Sequence, residues 1–170
     1  MICWFFEFSR RRFVFVKRPQ LKVKTATHPA QILDGMAGIV RRCAADVAPW
    51  ALESLDVYFR RVAGGHYDRE PSVWNAQILA RPSLVLTRRV PVVACANKSI
   101  LMASWAELNR IPWRLVAVGR IPGFPPHHVY VEMHLGGAWR SVDATYPWGV
   151  LFVEKSYPVR IVVTGRGVPA

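Results

Sequence analysis

The stretch FPPHHVYVEMHLGGAWRSVDATYP, residues 124–147, holds His127, His128 and His134 together with Asp143. Gly136-Gly137 separates two alternating apolar/polar runs, the signature of a two-residue hairpin turn. With that turn, Leu135 faces Ala138, His134 faces Trp139, Glu132 faces Ser141, Tyr130 faces Asp143 and His128 faces Thr145. Side chains alternate across a strand, so Asp143 shares a face with His128 and His134, while His127 lies on the other. Asp143 becomes the diagonal neighbour of His128, roughly 7–8 Å away between Cα atoms and closer between side chains. A turn of odd length would reverse the parity and select His127. A His–Asp pair orients an imidazole and fixes its tautomer, which is what nucleophilic catalysis requires of a general base.

Such a base needs a nucleophile, and Cys95 is the candidate. It opens the helix-favouring run CANKSILMASWAELNR, where the helix dipole and the free N–H groups of the first turn would stabilise a thiolate and an oxyanion. The competing reading is a buried thiol at the start of a core helix. A metal site built from His128, His134 and Asp143 is a third use of the same strand face. His134 is more simply a polar residue near the hairpin end, and Glu132 a residue that positions the strand.

The elements that must hold these groups follow from periodicity. Residues 12–24 alternate apolar and basic side chains around Pro19 and read as extended and edge-like. From Pro29, the three- and four-residue steps of Ile32, Met36, Ile39, Val40, Cys43 and Val47 predict an amphipathic helix with Cys43 as a core thiol. A second helix is expected from Pro49 through Leu52, Leu55, Tyr58, Phe59 and Val62, ended by Gly64-Gly65. Residues 66–94, broken by Pro71, Pro82 and Pro91, read as a long connection with short extended pieces. The helix opened by Cys95 has one marked face, Ile100, Leu101, Ser104, Trp105 and Leu108. Strands are expected over 114–119, 127–135, 138–144, 150–153 and 159–163. Helices followed by an antiparallel meander make the fold class α+β.

Composition bounds the rest. The chain has 170 residues, 52% of them hydrophobic and 20% charged, with a mean hydropathy of +0.14, which suits one domain with a sizeable core. Lys and Arg number 23 against 11 Asp and Glu, a formal charge of +12. That favours anionic surroundings. The cations are dispersed and no nucleic-acid-binding motif is present, so no specific nucleic acid is expected. The N-terminal MICWFFEFSRRRFVFVKRP has its basic cluster after the apolar run and lacks the order of a secretory signal. It reads as a packed strand, with contact to a partner or an anionic surface as the alternative. No run of 18 apolar residues occurs, and a cytoplasmic protein is expected. Three dispersed cysteines, Cys3, Cys43 and Cys95, suggest a reducing compartment.

The order of these pieces resembles the transglutaminase-like superfamily. The matching residues are Cys95 at a helix start; Ile111, Pro112 and Arg114; His128, Tyr130 and Glu132; and Gly137, Trp139, Asp143 and Thr145. The resemblance covers residues 66–148 and, less closely, the two helices before them. It implies a papain-like α+β fold with Cys95 as nucleophile, His128 as base and Asp143 as orienting carboxylate. It also implies acyl transfer on an amide through a thioester, without metal or organic cofactor. Peptidase or amidase action on a protein or peptide substrate is expected ahead of cross-linking. An upstream side chain often completes the oxyanion hole in this family, and Trp74, Asn75 and Gln77 are the candidates here. The organisation implied is an N-terminal extended segment, 1–28, and a transglutaminase-like domain, 29–165, with a helical part, 29–65, and a catalytic core, 66–165. The setting VVACANKS departs from the family: Val93 replaces the usual glycine, and Ala96, Asn97 and Lys98 follow where an acidic residue is common. Lys98 could favour the thiolate instead. The departure keeps open a catalytically idle fold serving as a structural or binding component. The compact size resembles bacterial and bacteriophage members, which implies a phage source and a larger assembly such as a virion.

Overall fold

The computed structural model describes residues 3–7, 13–16, 29–67, 76–89, 93–145 and 150–167. The element order is β1 (Cys3–Glu7), β2 (Phe13–Val16), α1 (Pro29–Cys43), a 3₁₀ segment (Ala44–Trp50), α2 (Leu55–Ala63), β3 (Ala76–Ala80), α3 (Pro82–Leu86), α4 (Cys95–Leu108), β4 (Trp113–Gly119), β5 (His128–Leu135), β6 (Ala138–Val142) and β7 (Val159–Arg166). β2, β1 and β3 form an antiparallel sheet in that order, and β6, β5, β4 and β7 form a second. The fold class is α+β. No helix among the described residues is long and apolar enough to cross a membrane.

α4 is the centre of the molecule. It packs against α1, the 3₁₀ segment, α2, α3, β3, β4 and β5. Every residue from Cys95 to Ala106 is buried, whereas periodicity marks only one apolar face. The difference arises because the polar residues of the other faces find partners inside. Asn97 Oδ1 accepts the Ala80 N–H at 2.9 Å, Lys98 Nζ donates to the Ala63 and Gly65 carbonyls at 3.0 and 3.2 Å, and Ser99 Oγ donates to the Val129 carbonyl at 3.1 Å. A buried polar group that keeps a hydrogen bond loses most of its penalty, so a helix with no polar face can still be wrapped on all sides.

Three helices depart from the sequence reading. α1 ends at Cys43, and Val47, expected on it, lies in the 3₁₀ segment. Pro49 lies inside the 3₁₀ segment rather than opening α2, and Leu52 is fully exposed. α2 begins at Leu55 because Ser54, in extended conformation, accepts the Val57 N–H and caps it. α3 occupies part of the predicted connection. Pro82 stands at its first position, where a missing N–H costs nothing. Its next N–H, that of Ser83, donates to Asp46 Oδ2 at 3.0 Å, and Arg81 Nε donates to the same oxygen at 2.7 Å. The cap comes from 37 residues away, where no local pattern could show it.

The hairpin follows the alternation. Gly136 and Gly137 have φ of +58° and +82°, the left-handed conformation of a two-residue turn, and the register pairs Leu135 with Ala138, His134 with Trp139 and Glu132 with Ser141. Val129, Val131 and Met133 enter the main core, while Tyr130 joins Val116 and Val118 in a smaller cluster on the other face of the sheet. The strand expected over 150–153 is absent. Those residues form a turn, with Phe152 at φ +65°, tied to β6 by the Phe152 N–H donating to the Ser141 carbonyl at 3.0 Å and by Ser141 Oγ donating to the Val153 carbonyl.

β4 and β7 shift register between Trp113 and Arg114. Trp113 is fully buried, and its indole N–H donates to Glu107 Oε2 at 2.6 Å. A Cβ on Gly165 would stand 2.0 Å from the Trp113 ring. A Gly165→Ala variant is expected to lose about 1–3 kcal/mol of stability through forced repacking, seen as a lower urea midpoint at unchanged slope. An unchanged midpoint would mean that the bulge adapts without cost.

Candidate active site

Ala94 is extended, with φ −107° and ψ −176°, and its carbonyl accepts the Lys98 N–H at 3.1 Å. Cys95 is therefore the first helical residue of α4, in the turn whose N–H groups lack intrahelical partners. It is buried, at 6% exposure. The bond from Ser99 Oγ to the Val129 carbonyl ties this turn to the start of β5, one residue from His128.

His128 is the first residue of β5. Its Nε2 lies 2.7 Å from Asp143 Oδ2, and Cys95 lies near enough to act on the imidazole electrostatically. The Tyr130 ring stacks beside it at 6.2 Å. Asp143 follows β6 directly. Its Oδ1 accepts the Thr145 N–H at 3.0 Å, a local turn that orients the carboxylate. Its Oδ2 accepts both His128 and the Lys155 ammonium, the latter at 2.6 Å. The His128, Asp143 and Lys155 side chains are only 8%, 5% and 10% exposed.

Burial opposes the charge on both partners, and their mutual attraction exceeds it. Desolvation pulls His128 down, but the hydrogen bond to Asp143, with the charges of Asp143 and Cys95, lifts it to about 9. Desolvation pushes Asp143 up, but His128 and then Lys155 bring it down to about 2. Near neutral pH the pair is imidazolium and carboxylate.

The structure thus brings Cys95, His128 and Asp143 together from α4, β5 and the end of β6, with His128 bonded to Asp143 and Cys95 beside the imidazole. His127 is elsewhere. It is exposed, its N–H donates to the Val118 carbonyl at 2.9 Å, and its ring meets Tyr157 edge-on. His134 meets Trp139 edge-on at 5.3 Å, and no group of three or more His, Cys, Asp or Glu among the described residues could hold a metal ion. Glu132 accepts from Arg114 Nε at 2.6 Å and from Arg160 at 2.8 Å, joining β4, β5 and β7. Trp74 and Asn75 lie outside the described residues. Gln77 lies in β3, opposite Phe6. Lys98, expected to favour a thiolate, has its ammonium on the Ala63 and Gly65 carbonyls, and burial lowers it to about 8.

Lys155 is the residue that sequence reasoning missed. It sits outside any regular element between β6 and β7, and no spacing connects it to Asp143. A cavity of about 520 Å³ borders α4, lined in part by Trp50, Val62, Val93, Lys98 and Leu101; Cys95, His128 and Asp143 do not line it. Cys95 and Lys98 are three residues apart on one helix and so lie on neighbouring parts of its surface.

No family model matches this sequence, and no curated protein is found similar to it. A solved structure from Cytophaga hutchinsonii, provisionally described as a cysteine protease, is similar at a TM-score of 0.45 and 18% identity, over 81% of this chain and 54% of that one. The chain thus spans about half the length of that protein. What the site can do is read from its own residues.

Proposed function

We propose that this protein is a cysteine hydrolase that cleaves an amide bond through a thioester, with a papain-like, transglutaminase-like arrangement of its core. The observation that carries the reading is the imidazole of His128, bonded to Asp143 and set beside a cysteine at the first position of a buried helix. The Cys95 thiolate attacks the amide carbonyl, and a C–S bond forms as the carbonyl π pair moves onto oxygen. The N–H groups of the first turn of α4, which have no intrahelical acceptors, are the donors available to that developing charge. The imidazolium gives its proton to the departing amine as the C–N bond breaks, leaving a thioester and neutral His128. Water then attacks the thioester with His128 taking its proton. The C–S bond breaks, the carboxylic acid leaves, and the thiolate–imidazolium pair is restored. The substrate class is a protein or peptide.

Selective alkylation tests this reading without a known substrate. Cys43 is partly exposed, and burial pushes its thiol up; Cys95 is buried but set beside His128. Iodoacetamide at neutral pH is expected to label Cys95 faster than Cys43 or Cys3, followed by peptide mass mapping. Loss of that preference in His128→Ala completes the result. If Cys95 labels no faster than glutathione, and no peptide leaves a thioester on it, the site is an idle fold.

A further inference from the structure

We propose that Lys155 is a positioning residue of this site: by donating to the same Asp143 oxygen as His128, it holds the carboxylate in place and restrains the basicity of the imidazole. The inference rests on the cysteine-hydrolase reading for its consequence in turnover, but its effect on the imidazole is measurable without turnover.

The geometry is a shared acceptor. Asp143 Oδ2 takes His128 Nε2 at 2.7 Å and Lys155 Nζ at 2.6 Å, so the two nitrogens can be no farther apart than those two bonds end to end. When both are protonated, two cations divide one carboxylate at a site nearly closed to solvent. The ammonium withdraws part of the negative charge that would otherwise stabilise the imidazolium, and repels the imidazolium directly.

Without Lys155 an imidazolium bonded to a buried carboxylate would be a weaker acid. A weaker acid gives its proton to a leaving amine less readily. The cation keeps His128 nearer the working range. It also keeps Asp143 ionised, as its lowering of the carboxyl shows.

The other groups that act on His128 do not duplicate this role. Cys95, from α4, raises its basicity, and His127, the preceding residue, is coupled to it by charge. Tyr130, from β5, stacks on the imidazole and also lies 5.4 Å from the Lys155 ammonium, so its ring contacts both partners. Lys98, from α4, senses the Asp143 charge, but its ammonium is held by two carbonyls. Among these groups Lys155 alone bonds the orienting carboxylate while being cationic and coming from neither the strand of His128 nor the helix of Cys95. The turn at 150–153, just before Lys155, is fastened to β6 through Ser141, two residues before Asp143.

The test is an NMR titration of the His128 ring in Cys95→Ala protein, with and without Lys155→Met, where no activity is needed. Methionine keeps the apolar stem against Tyr130 and removes the charge. The His128 midpoint is expected to rise by about one pH unit relative to the Cys95→Ala parent, and Lys155→Arg to return it to the parent value. In protein with Cys95 intact, Lys155→Met is expected to move the alkaline limb of turnover up by a similar amount and to lower the plateau. A residue that only fastens the turn would lower the melting temperature and leave the midpoint in place. An unchanged or lowered midpoint in Lys155→Met overturns the proposal. If that variant does not fold, Lys155→Gln, which keeps a donor without the charge, reads the same midpoint. A midpoint that moves as expected in a protein with no hydrolytic activity would leave Lys155 in its role and remove the hydrolase reading instead.

Discussion

Cys95→Ala is expected to abolish turnover while leaving the fold in place. The variant removes the only atom in the site able to form the C–S bond. His128 and Asp143 then have nothing to activate, and a fall in kcat of about 10⁴-fold or more is expected. Serine is not expected to rescue, because an alcohol is a much weaker acid and nucleophile than a thiol. Cys95 is small and lies at the first turn of α4, so its truncation should cost on the order of 1 kcal/mol. Helix packing is carried by Ile100, Met102 and Trp105 further along α4. A melting temperature within a few degrees of the parent, together with lost turnover and no thioester, is the expected pair of results. Retained turnover in Cys95→Ala would place the chemistry elsewhere.

Asp143→Asn should have the second largest effect, and its pH dependence identifies the cause. Asparagine occupies the same space and can still accept a bond, but it carries no charge. His128, lifted to about 9 against its own burial chiefly by Asp143, is expected to fall toward or below 6.5. The alkaline limb of turnover, which reports loss of the imidazolium proton, then moves to lower pH. At neutral pH, kcat is expected to drop about 10²–10⁴-fold.

Stability follows the same pair. His128 has a folded value above its ordinary 6.5, so its contribution is complete below pH 6.5 and is lost as the pH rises through about 9. Asp143 has a folded value below its ordinary 3.8, so its contribution is complete above pH 3.8 and is lost as the pH falls toward 2. The two describe one interaction, worth on the order of 2–3 kcal/mol. Wild-type stability by urea titration should therefore form a plateau between about pH 4 and 6.5 and decline on both sides. Asp143→Asn should flatten both declines. Coincident curves for the two proteins would mean that the pair contributes no net charge stabilisation.

The surrounding fold was legible where a local pattern and a burial requirement coincide. Alternation across Gly136-Gly137 defines the hairpin register because a slip of one residue would turn Val129, Val131 and Met133 out of the core. The same parity puts His128 on the Asp143 side. The three- and four-residue steps from Ile32 predict α1 for a similar reason, although the helix ends at Cys43 and Val47, expected to continue it, lies in the 3₁₀ segment. Where a segment is held from a distance, local pattern was silent. α3 depends on Asp46 for its cap, and the turn at 150–153 departs from its strand-like composition because Ser141 fastens it. Leu52 is apolar but faces water, since α2 is capped two residues beyond it at Ser54.

The sequence by itself determined the class of fold and the hairpin, because both depend on local periodicity; the turn parity favoured His128 over His127, and the resemblance supplied Cys95, His128 and Asp143 as candidates. Only the tertiary structure decided that Cys95 meets His128, that α4 is buried on every side, and that Lys98 is bound to carbonyls while Lys155 reaches Asp143. Those contacts join α4, β5, the end of β6 and the turn before β7. Distance in the chain carries no record of such neighbours, and it is their shared burial that converts ordinary cysteine, histidine and aspartate side chains into a coupled site.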